Sequence, residues 1–220
     1  MATAASVNRR RPFRADRVIW VVFGLMTLLV LYTRERTLLD PQSFLRQRYA
    51  PIPWLMFGHG IPGAVALILG VFQFSGKLRQ RYLNVHRWLG RIYVGCVLVS
   101  APMAIAVSMT LPVPTLFTAS IIQSFGWIAT TLTGLYCVRT GRIQLHREWM
   151  IRSYPFAAVF IVARAIQAIP AVQNGGVMAL VEVVWGAIAV AAFLPSFVIS
   201  WQALAASRRN IKTRAATAGI

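Results

Sequence analysis

Two stretches of this chain hold residue types that can do chemistry: residues 86–93 (HRWLGRIY) and residues 146–154 (HREWMIRSY). Each stands where a long apolar run meets a basic connection, and together they carry two of the three histidines. Neutral imidazoles offered from facing helices are what the iron of a b-type haem takes as axial ligands. His86 and His146 are therefore the candidate ligands. Arg87, Arg147 and Arg152 stand beside them, placed to hold haem propionates or anionic lipid. The plainer alternative is a pair of interfacial histidines bonding to phosphate or backbone in a basic loop.

A second group of polar residues lies inside apolar runs, where burial is costly unless the side chain is paired or functional. His59 stands six residues into one run, roughly 9 Å from its start, and so cannot meet His86 or His146. Arg164 and Glu182 fall at a similar depth in two later runs, which suggests an ion pair between adjacent helices. Gln123 and Gln167 share that level. These five residues define either an outer site, such as the gate of a proton-coupled transporter or channel, or a satisfied structural network. His59, Gly63, Ala66 and Gly70 recur at helical spacing and leave a stripe of small residues. A flat macrocycle or a quinone ring fits such a stripe, but close helix packing is its commoner use in membranes.

The elements that must position these groups follow from composition. A chain of 220 residues with 57% hydrophobic and 13% charged residues has more apolar surface than one small core can bury. Its mean hydropathy of +0.61 places it in a bilayer. The 23 Lys and Arg against 5 Asp and Glu would suggest nucleic acid on a soluble face. Here they cluster between apolar runs, as in the loops of a membrane protein, and no nucleic-acid partner is expected. No CxxC pair, glycine-rich phosphate loop or nucleophile elbow is present.

The reading is an all-α polytopic membrane protein with six transmembrane helices, at about 18–32, 53–76, 88–111, 116–138, 149–172 and 176–201. A basic segment, 1–17, precedes the six-helix domain at 18–201, and a basic, frayed tail, 202–220, follows it. Asp40 before Pro41 is the expected cap of a short interfacial helix in the long first connection. The second and fourth connections carry Lys77, Arg79, Arg81, Arg87, Arg139, Arg142 and Arg147, while the third and fifth carry no Lys or Arg. Both termini are therefore expected on the cytoplasmic side of an inner membrane. Arg34, Arg36, Arg46 and Arg48 disagree, lying on the expected outer face with Glu35 and Asp40 in partial offset.

Residues 76–78 precede His86 as residues 141–143 precede His146, which hints at a repeat. Helices two to five would then form a four-helix core flanked by helices one and six. Trp88, Trp149, Tyr93 and Tyr154 occupy places typical of an aromatic belt. Glu148 and Arg152, four apart, suit a helical surface pair.

Residues 59–74 (HGIPGAVALILGVFQF), 86–93 and 146–154, followed by Arg164, resemble the signatures of a family of predicted multi-pass membrane proteins without an assigned activity. The likeness spans about residues 54–164, departing at Val71 and Pro155. A looser likeness is to six-helix, two-haem transmembrane cytochromes b. There the third and fifth helices supply one histidine pair and the second and fourth the other. That resemblance implies haem ligation by His86 and His146. His59 matches half of the other pair, but the fourth helix has no histidine. A quinone or another carrier near His59 would then complete transfer across the membrane. A non-catalytic assembly factor is the third alternative.

Overall fold

Long apolar runs must satisfy every backbone group within themselves when no water is at hand, and helices do so. The computed structural model describes residues 15–33, 40–110 and 113–217. Arg9, Arg10, Arg11, Arg34, Glu35 and Arg36 lie outside the described residues, as do the side chains of Arg48, Arg208, Arg209, Lys212 and Arg214. The described chain is all-helical: α1 Ala15–Thr33, α2 Phe44–Tyr49, α3 Pro53–Gln73, α4 Gly76–Arg81, α5 Leu83–Met109, α6 Pro114–Arg139, α7 Ile143–Ile166, α8 Pro170–Asn174 and α9 Gly176–Thr217. Among the described residues, five helices are long and apolar enough to cross a bilayer: α3, α5, α6, α7 and the Gly176–Ser207 part of α9.

Local chemistry sets the helix ends. Pro53 and Pro114 open α3 and α6, where a missing N–H costs nothing. Ser43 and Ser75 cap α2 and α4 by accepting from the Arg46 and Leu78 amides at 3.1 and 3.2 Å. Asp40, the expected cap, instead closes a turn by accepting from the Gln42 amide at 3.0 Å. Three residues of turn chemistry separate it from the helix, so the proline after it did not mark the start. The connection from α6 to α7 turns on Gly141 at φ +75°, a conformation that a Cβ disfavours.

Two boundaries differ from the sequence reading for one physical reason. Both α5 and α7 begin about one turn or more before their apolar runs, at Leu83 and Ile143, because helical hydrogen bonding continues into the polar interface. At the other end of the chain, α9 runs to Thr217 rather than fraying after 201. Pro62, Pro102, Pro155 and Pro195 all lie inside continuous helices.

The packing forms a ring. α3 lies along α5, α5 along α6 and α6 along α7, and α7 returns to α3. α9 packs on α7 and more lightly on α6, and α1 packs on α7. Close approach depends on glycines. The Tyr154 ring of α7 occupies the space a Cβ on Gly70 would need, and the Phe156 ring lies 2.8 Å from the corresponding point on Gly126. Outward-facing Trp54, Phe193, Phe197 and Trp201 are exposed, as lipid-facing positions are.

Candidate functional site

His86 and His146 occupy the same register, each the fourth residue of its helix. The first turns read Leu-Asn-Val-His-Arg in α5 and Ile-Gln-Leu-His-Arg in α7, so the short repeat of the sequence corresponds to two helix beginnings at one end of the core. Nδ1 of His146 lies 2.8 Å from the Gly134 carbonyl of α6. A carbonyl only accepts, so Nδ1 carries a proton, and in the neutral form of the ring Nε2 is the nitrogen with the lone pair. Gly134 is needed there, since Met150 Sδ lies 2.8 Å from where a Cβ would stand.

The surroundings of His86 differ. Its Nδ1 is buried and, among the described residues, has no hydrogen-bond partner. Arg79, Arg87 and His146 lie within electrostatic reach of its ring. Gln73, the last residue of α3, joins this corner together. Its amide nitrogen donates to the His86 carbonyl at 3.3 Å, and its own carbonyl accepts from Arg79 Nη1 at 3.3 Å. Burial first, and the charge of Arg147 second, hold the half-buried Arg79 guanidinium below the usual arginine range. Arg87 and Arg147 are exposed at the same end.

Arg152 is engaged elsewhere. Its Nε donates to Ser196 Oγ of α9 at 3.1 Å, it pairs with Glu148 at 3.9 Å, and it stacks over Trp149. It therefore joins α7 to α9, and its described contacts do not include the two histidines.

Between the two ends the core holds a buried polar group that sequence alone did not single out. Tyr93, Trp127, Thr131 and Ser153 are each 5% exposed or less. Trp127 Nε1 donates to Tyr93 Oη at 3.2 Å; Tyr93 and Ser153 are 3.0 Å apart, and Ser153 and Thr131 2.7 Å apart. Thr131 gives its one proton to the Trp127 carbonyl at 2.7 Å. Ser153 must then donate to Thr131, and Tyr93 to Ser153, so every direction is determined. The chain ends in a backbone carbonyl, which makes it a fastening between α5, α6 and α7. The sequence places Tyr93 and Tyr154 in an aromatic belt, but the structure buries both, with Tyr154 Oη donating to the Leu67 carbonyl at 3.0 Å. The available signal was the seven-residue spacing of His86, Tyr93 and Ser100, which puts them on one face of α5.

His59 lies at the level of Ser100, about 21 Å along α5 from His86. Its Nδ1 donates to the Ser100 carbonyl at 3.0 Å, and Ser100 Oγ donates to the His59 carbonyl at 2.8 Å. The stripe of small residues is filled by protein: Ser100 Oγ lies 3.0 Å from the Cβ point of Gly63, Ala66 is fully buried, and Tyr154 covers Gly70. The packing reading of that stripe is the one observed. Gln123 donates to the Phe156 carbonyl at 3.1 Å, Arg164 stacks on Phe160, Gln167 is half-buried at the end of α7, and Glu182 is exposed on α9. The described contacts of these residues do not join them to one another.

Helices of this length and apolarity, packed through glycine contacts and clothed in exposed aromatic and aliphatic side chains, define a multi-pass integral membrane protein. The chain belongs to the family described as "Predicted membrane protein (DUF2306)", which matches residues 56–202 and so includes all three histidines. No curated protein and no solved structure matches the chain.

Proposed function

We propose that this protein is a six-span electron-transfer module that holds one b-type haem between α5 and α7, with His86 and His146 as axial ligands. The observation that carries the reading is the shared register of the two histidines at one end of the core. Among the described residues, no three or more of His, Cys, Asp and Glu converge as a metal-binding group. Two imidazoles fall short of a complete set for a bare ion but suffice for iron already held by a macrocycle. When bound, haem supplies a one-electron carrier.

This chain's residues fit that group in three respects. Gly134 holds His146 as the Nδ1–H tautomer, which leaves Nε2 as the ligand atom and raises its basicity. The buried Nδ1 of His86 has no partner among the described residues, so no hydrogen bond of theirs holds that ring nitrogen. Arg87 and Arg147, next in sequence to the two ligands, are placed to neutralise propionates, whereas Arg152 is already committed to α9. The Tyr93 to Ser153 fastening holds α5 and α7 at a set separation one to two turns below the histidines.

In this reading α1 is the first of six spans and the basic connections face the cytoplasm, so the site lies near the inner face of an inner membrane. The level of His59 is where a quinone would receive or deliver the electron. The test is an absorption spectrum of protein purified after expression with haem supplied, oxidised and then dithionite-reduced. A Soret band that sharpens on reduction, lost in His86→Ala and in His146→Ala, is expected. A haem-free, folded protein would overturn the proposal.

A further inference from the structure

Helix α3 ends at Gln73, and the last carbonyls of a helix have no partner within it. Arg79 Nη1 donates to the Gln73 carbonyl at 3.3 Å, an ordinary way for an arginine to close a helix end. The same Gln73 also reaches α5. Its side-chain Nε2 donates to the backbone carbonyl of His86 at 3.3 Å. One residue thus fastens the guanidinium of α4 on one side and the histidine of α5 on the other. Arg79 leads the charged groups that act on the His86 ring, ahead of His146 and Arg87.

The arginines at this end are not equivalent. Arg87 and Arg147 are exposed, where water and salt screen their charge. Arg79 is half-buried and anchored by its bond to α3. Among the described residues no carboxylate pairs with it. Glu148, the acid beside Arg147 in sequence, is taken up by Arg152 and by Gln144, whose Nε2 donates to it at 3.1 Å. A guanidinium keeps its charge throughout the working range of pH. The fold therefore maintains one positive charge, without a neutralising partner among the described residues, at a set place beside His86.

We propose that Arg79 is a positioning residue that acts through His86 to raise the reduction potential of the redox centre, with Gln73 holding charge and ligand in register. The proposal rests on the reading of His86 as an axial ligand of haem iron. Such a centre carries one more positive charge oxidised than reduced, so a fixed cation beside its ligand disfavours the oxidised form. The site then accepts an electron more readily, and releases it less readily, than two histidines alone would allow.

The test is a potentiometric titration of the full-length protein in detergent, with the absorption spectrum and the unfolding temperature recorded for every variant. Arg79→Gln is expected to lower the midpoint potential by about 59 mV, a tenfold change in the one-electron equilibrium. Arg79→Lys, which keeps the charge, should restore most of the parent value. Arg81→Gln is the matched control, because it removes the same charge from an exposed residue of α4 that lies over Tyr82. If Arg79→Gln does not fold, Arg79→Met removes the charge while filling the space, and the same drop is expected. A potential indifferent to Arg79, or an equal drop in Arg79→Gln and Arg81→Gln, would overturn the proposal. So would an equal drop in Arg79→Gln and Arg79→Lys, which would leave Arg79 as a helix cap and nothing more. A parent protein without a Soret band removes the haem reading and this inference with it. A normal Soret band with an unmoved potential removes this inference alone.

Discussion

At the residue scale, the chemistry of the protein is decided by which hydrogen-bonding atoms are used up and which are left over. Tyr93, Ser153, Thr131 and Trp127 use each other completely, and that is why they hold helices together instead of reacting. Replacing Tyr93 by Phe removes the acceptor of the Trp127 N–H and the donor to Ser153 in a dry core. The expected cost is about 1–3 kcal/mol, seen as a lower unfolding midpoint in detergent. A midpoint equal to that of the parent protein would mean that the fastening contributes nothing. His86 and His146 are the contrasting case, since among the described residues the Nδ1 of His86 meets no partner and His146 is held through Nδ1 alone. Their residue type and basic setting were legible in the sequence. The partner of His146, a backbone carbonyl of Gly134, was not, because a carbonyl has no signature in sequence.

At the scale of the element, the helices are placed by where backbone hydrogen bonding stops, and their register is placed by where backbones can touch. Apolar composition marked the spans, but α5 and α7 extend past it into polar residues, and that extension puts both histidines inside a helix. The short α4 likewise has little apolar content. Ser75 at its start and the Arg79 bond to the end of α3 define it, and it brings a loop arginine beside His86. Closure of the ring rests on α7 reaching α3 at Gly70, where the Tyr154 ring stands on the bare backbone and its hydroxyl donates to Leu67. Gly70→Ala should therefore force the two helices apart at a cost of about 1–3 kcal/mol. Gly24→Ala, where a Cβ meets nothing, is the matched control. Equal thermal stability of the two variants would show that the ring does not close through this contact.

At the scale of the molecule, a four-helix ring with α9 and α1 applied to its outside separates two polar levels by about 21 Å of helix. One level is basic and rich in uncommitted donors. The other, around His59 and Ser100, is closed by reciprocal hydrogen bonds between α3 and α5. Basic connections on one side and connections without Lys or Arg on the other lead to the expectation that both termini are cytoplasmic. Fusions of a fluorescent reporter to the C terminus and of a periplasm-dependent phosphatase to the connection after α5 should both be active. The reverse pattern would invert the orientation and move the histidine pair to the outer face.

By itself, the sequence determined that this chain lives in a bilayer, roughly where its spans run, and which end of the core is basic. Those properties are carried by composition and by runs of like residues, which need no knowledge of neighbours. Only the tertiary structure decided that the small residues of α3 are filled by Ser100 and Tyr154, that Arg152 belongs to α9, and that Arg79 stands at the histidines. Each of these depends on contacts between helices far apart in the chain, and in a membrane such contacts are selected by shape and hydrogen bonding rather than by hydrophobicity, which every lipid-facing surface shares.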